Sequence, residues 1–291
     1  MMTGQNYRLG LVLVTLAAVA WSLAGFFTRL ITLDSWTMLA WRGLFGALGV
    51  AAFIAATQRH RGWRAFGGLG PAGWCFAALS AVGMMLFITS LRHTSVAHVA
   101  VIYATVPFVA AGFAWLALRE RPSASALLAS GVALVGVAVM VGLGVEGGLL
   151  GDLLAFGMTT SMAGMMVMMR RFPAVPALPA ACLSALLCGL ATWPFGAPLA
   201  VSGQDLVLLA LFGTVNSALG LAFFSLGARH LPAIETALVT ALDAPLAPLW
   251  VWLAFAETPT SATLVGGGIV FAAVAGHILQ QQRLRPAVAA R

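Results

Sequence analysis

The polar and ionisable side chains that fall inside long apolar runs are the ones whose chemistry needs a reason. This 291-residue chain has 15 basic residues, all arginine, eight carboxylates and five histidines. Asp243 stands eleven residues into an apolar run that extends from 232 to 255. An ionisable group at that depth costs at least ~2.5 kcal/mol on insertion scales and therefore needs a partner or water. Asp243 reads as a cavity residue or an ion-coupling residue. Arg42, seven residues from the end of its run, either snorkels or forms a structural pair, whereas Glu235, His98 and His277 lie nearer run ends and read as interfacial. Asn216 and Ser217, halfway along another run, either bond a neighbouring helix or bind ligand.

Other chemistries are excluded by spacing. Cys75, Cys182 and Cys188 show no CxxC step, so they read as small core residues, with neither a disulfide nor a metal expected. Gly142, Gly144 and Gly147 spell GxGxxG, but at the end of an apolar helix instead of between a strand and a helix, so no dinucleotide site is expected. The chain holds no Walker, HExxH or nucleophile-elbow sequence, which argues against a cofactor and against ATP-driven chemistry. A membrane enzyme acting on lipids would need a histidine or carboxylate pair near one interface, and His98 and Glu235 fall near opposite ones. A net charge of +7 built from scattered arginines reads as membrane orientation, with no nucleic-acid partner.

The elements that must hold these residues are set by composition. With 61% of residues hydrophobic and 8% charged, the chain is not a soluble protein. Ten apolar segments, at 8–30, 35–57, 70–91, 96–118, 123–143, 149–169, 176–196, 204–229, 232–255 and 261–281, predict an all-α integral membrane protein with ten transmembrane helices. The first segment is too long for a signal peptide's apolar region and reads as a retained span. Placing both termini in the cytoplasm puts twelve arginines there (Arg8, Arg59, Arg61, Arg64, Arg119, Arg121, Arg170, Arg171, Arg229, Arg283, Arg285 and Arg291) and leaves Arg29 and Arg92 outside. The outer connections then carry Asp34, Glu146, Asp152 and Asp205, as expected for a multi-pass protein of a bacterial-type inner membrane.

The chain repeats itself. Leu9-Gly10 and a helix ending at Arg29 recur as Leu150-Gly151 and a helix ending at Arg170, and Trp115, Glu120 and Pro122 recur as Trp252, Glu257 and Pro259. Five spans per copy is an odd number, so residues 1–145 and 146–291 are expected as two inverted five-helix repeats. Glu120 and Glu257 read as structural corners, each before a proline that opens the next helix. Pro107 in the fourth span, and Pro245 with Pro248 in the ninth, free the carbonyls of Tyr103, Ala241 and Ala244, giving either a plain kink or the hinge of a cavity wall. Met158, Met162, Met165, Met166, Met168 and Met169 in the sixth span are either an adaptable lining or helix filler, and Trp21 lies too deep for an interfacial belt. Gly43, Gly46 and Gly49 read as close helix packing, within the scaffold or at a dimer face.

These features carry a family resemblance. The Trp21-Ser22 pair, the arginine of "LAWRGLF", and the twice-used series of a proline-bearing helix, a Glu-x-Pro-[Ser/Thr] corner and a Gly-rich helix resemble the drug/metabolite transporter superfamily, EamA type. The overall look is similar to YddG-type exporters of aromatic and other neutral amino acids. Two departures are Thr258 in place of Arg121 and an acidic Asp243 before Pro245. The resemblance implies a secondary transporter, not an enzyme, that exports small amphipathic solutes by alternating access, as a monomer or homodimer in the lipid bilayer. Trp21, Ser22, Met84, Tyr103, Met162, Asn216, Ser217, Thr240 and Asp243 are the expected substrate cavity. A multidrug pump for lipophilic cations, with Asp243 as counter-charge, is the alternative within the same class.

Overall fold

The structure, a computed structural model, describes residues 4–94, 96–141, 148–256 and 258–289. Glu146, Glu257, Arg291 and the glycine pattern at 142–147 lie outside the described residues, as do the side chains of Arg59, Arg61, Trp63, His98, Arg283 and Arg285. Among the described residues, ten helices are long and apolar enough to cross a membrane: Gln5–Leu30, Ser35–Ala56, Gly70–Ser90, Val99–Leu118, Ala124–Val141, Leu149–Arg171, Ala177–Phe195, Gly203–His230, Ala233–Phe255 and Ser261–Gln281. No strand occurs among the described residues. Ten alternating spans put the start of the first and the end of the tenth on one face, the terminal face; the opposite side is the far face.

Four spans are interrupted, and two of the interruptions match. The fourth divides into Val96–Tyr103 and Val106–Leu118, and the ninth into Ala233–Thr240 and Asp243–Phe255. Pro107 and Pro245 occupy the first turn of the second half-helix, where a missing N–H has no partner to lose. The break therefore falls just before each proline, not at a kink in a continuous helix. Pro248 lies inside its half-helix without ending it. The first span breaks at Leu23 with no proline nearby, between Gly4–Ser22 and Ala24–Leu30. The eighth contains a π-helical stretch, Gly213–Leu219.

Local geometry repeats with the same spacing as the sequence. Arg119 (φ 58°) and Ala256 (φ 55°), which close the fourth and ninth spans, are the described non-glycine residues with left-handed backbones. Beyond them, Ser123 Oγ accepts from the Ala126 N–H and Thr260 Oγ1 from the Thr263 N–H, each at 3.2 Å, capping the fifth and tenth spans. The corner expected at Glu120 is thus capped by Ser123, and the carboxylate goes elsewhere.

Packing pairs one copy with the other. The second span lies on the seventh and the fifth on the tenth, while the third-on-sixth contact is matched by the first on the eighth. At two crossings the backbones touch. A Cβ on Gly189 would stand 2.8 Å from the Ala40 carbonyl oxygen, and one on Gly136 would stand 2.8 Å from that of Gly266. The glycines at these positions serve contacts within the chain. Large apolar side chains such as Leu116, Leu128, Leu253 and Leu264 point outward, where lipid would cover them.

Candidate functional site

The interrupted first, fourth, eighth and ninth spans, with the second, third, sixth and seventh, enclose a cavity of about 440 Å³. It runs from mid-bundle toward the far face, where Leu91 and Val99 line it. The terminal half beneath it is filled by a core that includes Ala17, Phe76, Ala110, Met166, Met169, Phe224 and Ala237. Of the residues expected from sequence, Trp21, Ser22, Met84, Tyr103, Met162, Asn216, Ser217 and Asp243 line this cavity. Thr240 does not: it is buried, with its hydroxyl donating to the Ala237 carbonyl at 2.9 Å. Pro107, Pro245 and Pro248 do not line it: the first two follow the breaks in its helices, and Pro248 lies within an unbroken half-helix.

A polar seam crosses the cavity wall. Arg42, buried at 8% exposure, donates from Nη1 to Asn216 Oδ1 at 3.1 Å and lies 5.3 Å over the Phe212 ring. Asn216 Nδ2 in turn donates to the Ala20 carbonyl at 3.1 Å and the Trp21 carbonyl at 3.2 Å, which precede the break at Leu23. The asparagine thus satisfies carbonyls at the end of the first half-helix, and the π-helical stretch is what turns it toward them. Arg42 has no carboxylate partner among the described residues, and its Nε is buried without a hydrogen bond. Ser22 donates to the Val19 carbonyl at 2.7 Å and accepts from Trp250 Nε1 at 2.8 Å, tying the first-span break to the ninth span.

From the sequence Arg42 reads as a snorkelling or structurally paired residue and Cys188 as a core residue, yet both line the cavity. The signal available for Arg42 was its place beside Gly43, a glycine pressed against the seventh span. The methionines divide between both of their expected uses: Met158, Met162 and Met165 line the cavity, and Met166 and Met169 fill the core. Cys182 and Cys188 are buried free thiols, but Cys75 is exposed on the outer surface of the third span and is no core residue. Glu235 and His277, expected at an interface, are buried in the terminal half.

The terminal face is fastened by one ion pair and by arginine-to-carbonyl hydrogen bonds. Glu120 receives Arg170 at 2.6 Å, and Arg170 Nη1 also donates to the Leu231 carbonyl at 3.0 Å, so the corner after the fourth span is fastened to the sixth and to the start of the ninth. Arg229 donates to the Pro173 and Val175 carbonyls, fixing the end of the eighth span to the start of the seventh.

Comparison with known proteins fits this architecture. The EamA-like transporter family matches residues 8–142 and 149–279, two copies that together span nearly all of the chain. A protein known from a crystal structure has the same fold, with a TM-score of 0.83 at 16% identity, covering 94% of this chain and 98% of that one. No curated protein matches.

Proposed function

Because the chain belongs to the EamA-like transporter family and is a multi-pass membrane transporter, we propose that it exports small amphipathic solutes, foremost aromatic and other neutral amino acids, by alternating access. The observation that carries this reading is the charge content of the cavity: among the described residues, one guanidinium, Arg42, and one carboxylate, Asp243, are set in a wall of Met84, Met162, Phe87, Trp21 and other apolar groups. A zwitterion with an apolar side chain matches such a wall. The carboxylate meets Arg42 and Asn216, the ammonium meets Asp243 and the carbonyl freed at Tyr103, and the methionines adapt to the side chain. A lipophilic cation would use Asp243 and leave Arg42 without a role.

On the topology drawn from the arginines, the far face is periplasmic and the termini lie in the cytoplasm of a bacterial-type inner membrane. The cavity described here then faces outward, and the Glu120–Arg170 contact closes the cytoplasmic side. The test is counterflow of labelled phenylalanine in proteoliposomes, with phenylalanine methyl ester and a quaternary ammonium as competitors. Competition by free amino acids alone supports the zwitterion reading; competition by the quaternary ammonium alone favours multidrug efflux.

A further inference from the structure

A second group of buried ionisable residues lies apart from the cavity. Tyr7, Glu235 and His277, from the first, ninth and tenth spans, meet in the terminal half of the bundle at 2, 5 and 3% exposure. Tyr7 Oη donates to Glu235 Oε2 at 2.8 Å, and His277 Nε2 faces Glu235 Oε1 at 3.8 Å. The second distance is too long for a hydrogen bond, and neither ring nitrogen of His277 has another partner among the described residues. A buried imidazole in that condition is costly and calls for a cause. A proton added to the ring supplies one: it sets a cation opposite the carboxylate, and the gap can then close to a charge-assisted hydrogen bond of about 2.7–2.9 Å.

Water can reach the group at Glu235. Glu235 lines a cavity of about 330 Å³ on the terminal face, together with Glu120, Ser123, Arg170 and the exposed Arg121. Among the described residues, the charged and titratable groups on the elements around Glu235 are Tyr7 and Arg8 from the first span, His277 from the tenth, Arg119, Glu120 and Arg121 from the corner after the fourth, Asp152, Arg170 and Arg171 from the sixth, and Arg229 with His230 from the end of the eighth. The fifth span brings none. Glu120 and Arg170 are engaged with each other, and the polar contacts of Glu235 itself are Tyr7 and His277.

We propose that Tyr7, Glu235 and His277 form a proton-binding site, supplied by water from the terminal face, whose occupancy holds that face closed. The proton comes from hydronium in the second cavity, rests on His277 Nε2 against Glu235 Oε1, and leaves to water by the same route, while Tyr7 holds the other carboxylate oxygen. Occupancy draws the tenth span onto the half-helix Ala233–Thr240, which ends at the break beside Asp243. Opening the terminal face separates these elements, so acid on that face slows the opening. The inference rests on the alternating-access reading given above.

Two measurements on the full chain test it. Nitrogen NMR of histidine-labelled protein in liposomes reads ring protonation directly, with His277→Gln assigning the signal. The assigned ring signal is expected to respond to the pH of the terminal face, and Glu235→Gln is expected to alter that response. Labelled phenylalanine exchange in right-side-out and inverted vesicles then reads the effect from each face. Acid on the terminal face should slow exchange by up to about tenfold per pH unit, the limit for one linked proton. Acid on the far face should not, and His277→Gln and Glu235→Gln should exchange without this dependence. If either variant fails to fold, Tyr7→Phe, which removes only the hydroxyl, takes its place and should weaken the response. A wild-type rate indifferent to terminal-face pH, or a response undiminished in the variants, overturns the proposal. Absence of any phenylalanine exchange in the wild type would instead count against the substrate reading, and the NMR titration alone would then decide: a His277 that never titrates overturns the site.

Discussion

Arg42 and Asn216 hold each other at 3.1 Å across the cavity wall, and the same asparagine bonds the two carbonyls that precede the break in the first span. One amide therefore orients a buried cation and stabilises an interrupted helix. Asn216→Ala would orphan both, at a cost of about 1–3 kcal/mol, seen as a lower unfolding temperature in detergent. Ser217→Ala, its neighbour in the cavity wall, should cost less. Equal losses in the two variants would remove Asn216 from this role.

Asp243 is expected to meet the positive end of the substrate. Asp243→Asn should preserve the fold and weaken apparent affinity by roughly tenfold, the scale of one hydrogen bond to a charged group, with a change in the pH profile of transport. Unaltered flux and an unaltered profile would reduce Asp243 to a structural residue.

Pro107 and Pro245 are expected to act on the rate of the cycle. Alanine at either position restores an N–H that can bond the carbonyl four residues earlier and mend the break, and a gain of about 1.4 kcal/mol in the unbent state slows the step tenfold. Each variant should slow flux more than it weakens equilibrium binding of the same substrate. Normal flux in both variants would leave the prolines as static supports.

Orientation has its own test. A reporter fused after Arg291 should be active only as a cytoplasmic fusion; periplasmic activity would reverse the assignment and with it the direction in which the cavity faces.

Asp34 caps the second span by accepting from the Trp36 and Thr37 N–H groups at 3.0 Å each. Partial burial works against its charge, but the bonds from Thr37 and Trp36 and the nearby Arg92 outweigh it and hold its carboxyl below the usual carboxylate range. A depressed group stabilises the fold above its unfolded pKa and stops doing so as pH falls through the folded value. Asp34→Ala should therefore cost about 1 kcal/mol near neutral pH and little in strong acid, as read by thermal unfolding at the two pH values.

How far the sequence discloses this molecule depends on whether the cause is local. The ten spans follow from hydropathy, and the breaks before Pro107 and Pro245 follow from a missing N–H. The break at Leu23 and the π-helical stretch at Gly213–Leu219 have no such mark, and only the tertiary fold brings Asn216, within that stretch, to the Ala20 and Trp21 carbonyls before the break. Arg42 could be placed in a span but not on a side of it. Thr240 is expected in the cavity with Asn216 and Ser217, whereas its own helix's carbonyl at Ala237 takes its hydroxyl. Tyr7 carried no signal, since a tyrosine near a span end is ordinarily interfacial and only the tertiary fold brings Glu235 to it.

The crossings at Gly43 with Gly189 and Gly136 with Gly266 are backbone against backbone, and each joins corresponding helices of the two copies. Recognition between the halves is thus written in main-chain shape and does not depend on the peptide link between them. Two polypeptides, one for each half, co-expressed in the same cell, would find each other along these seams and restore a working whole.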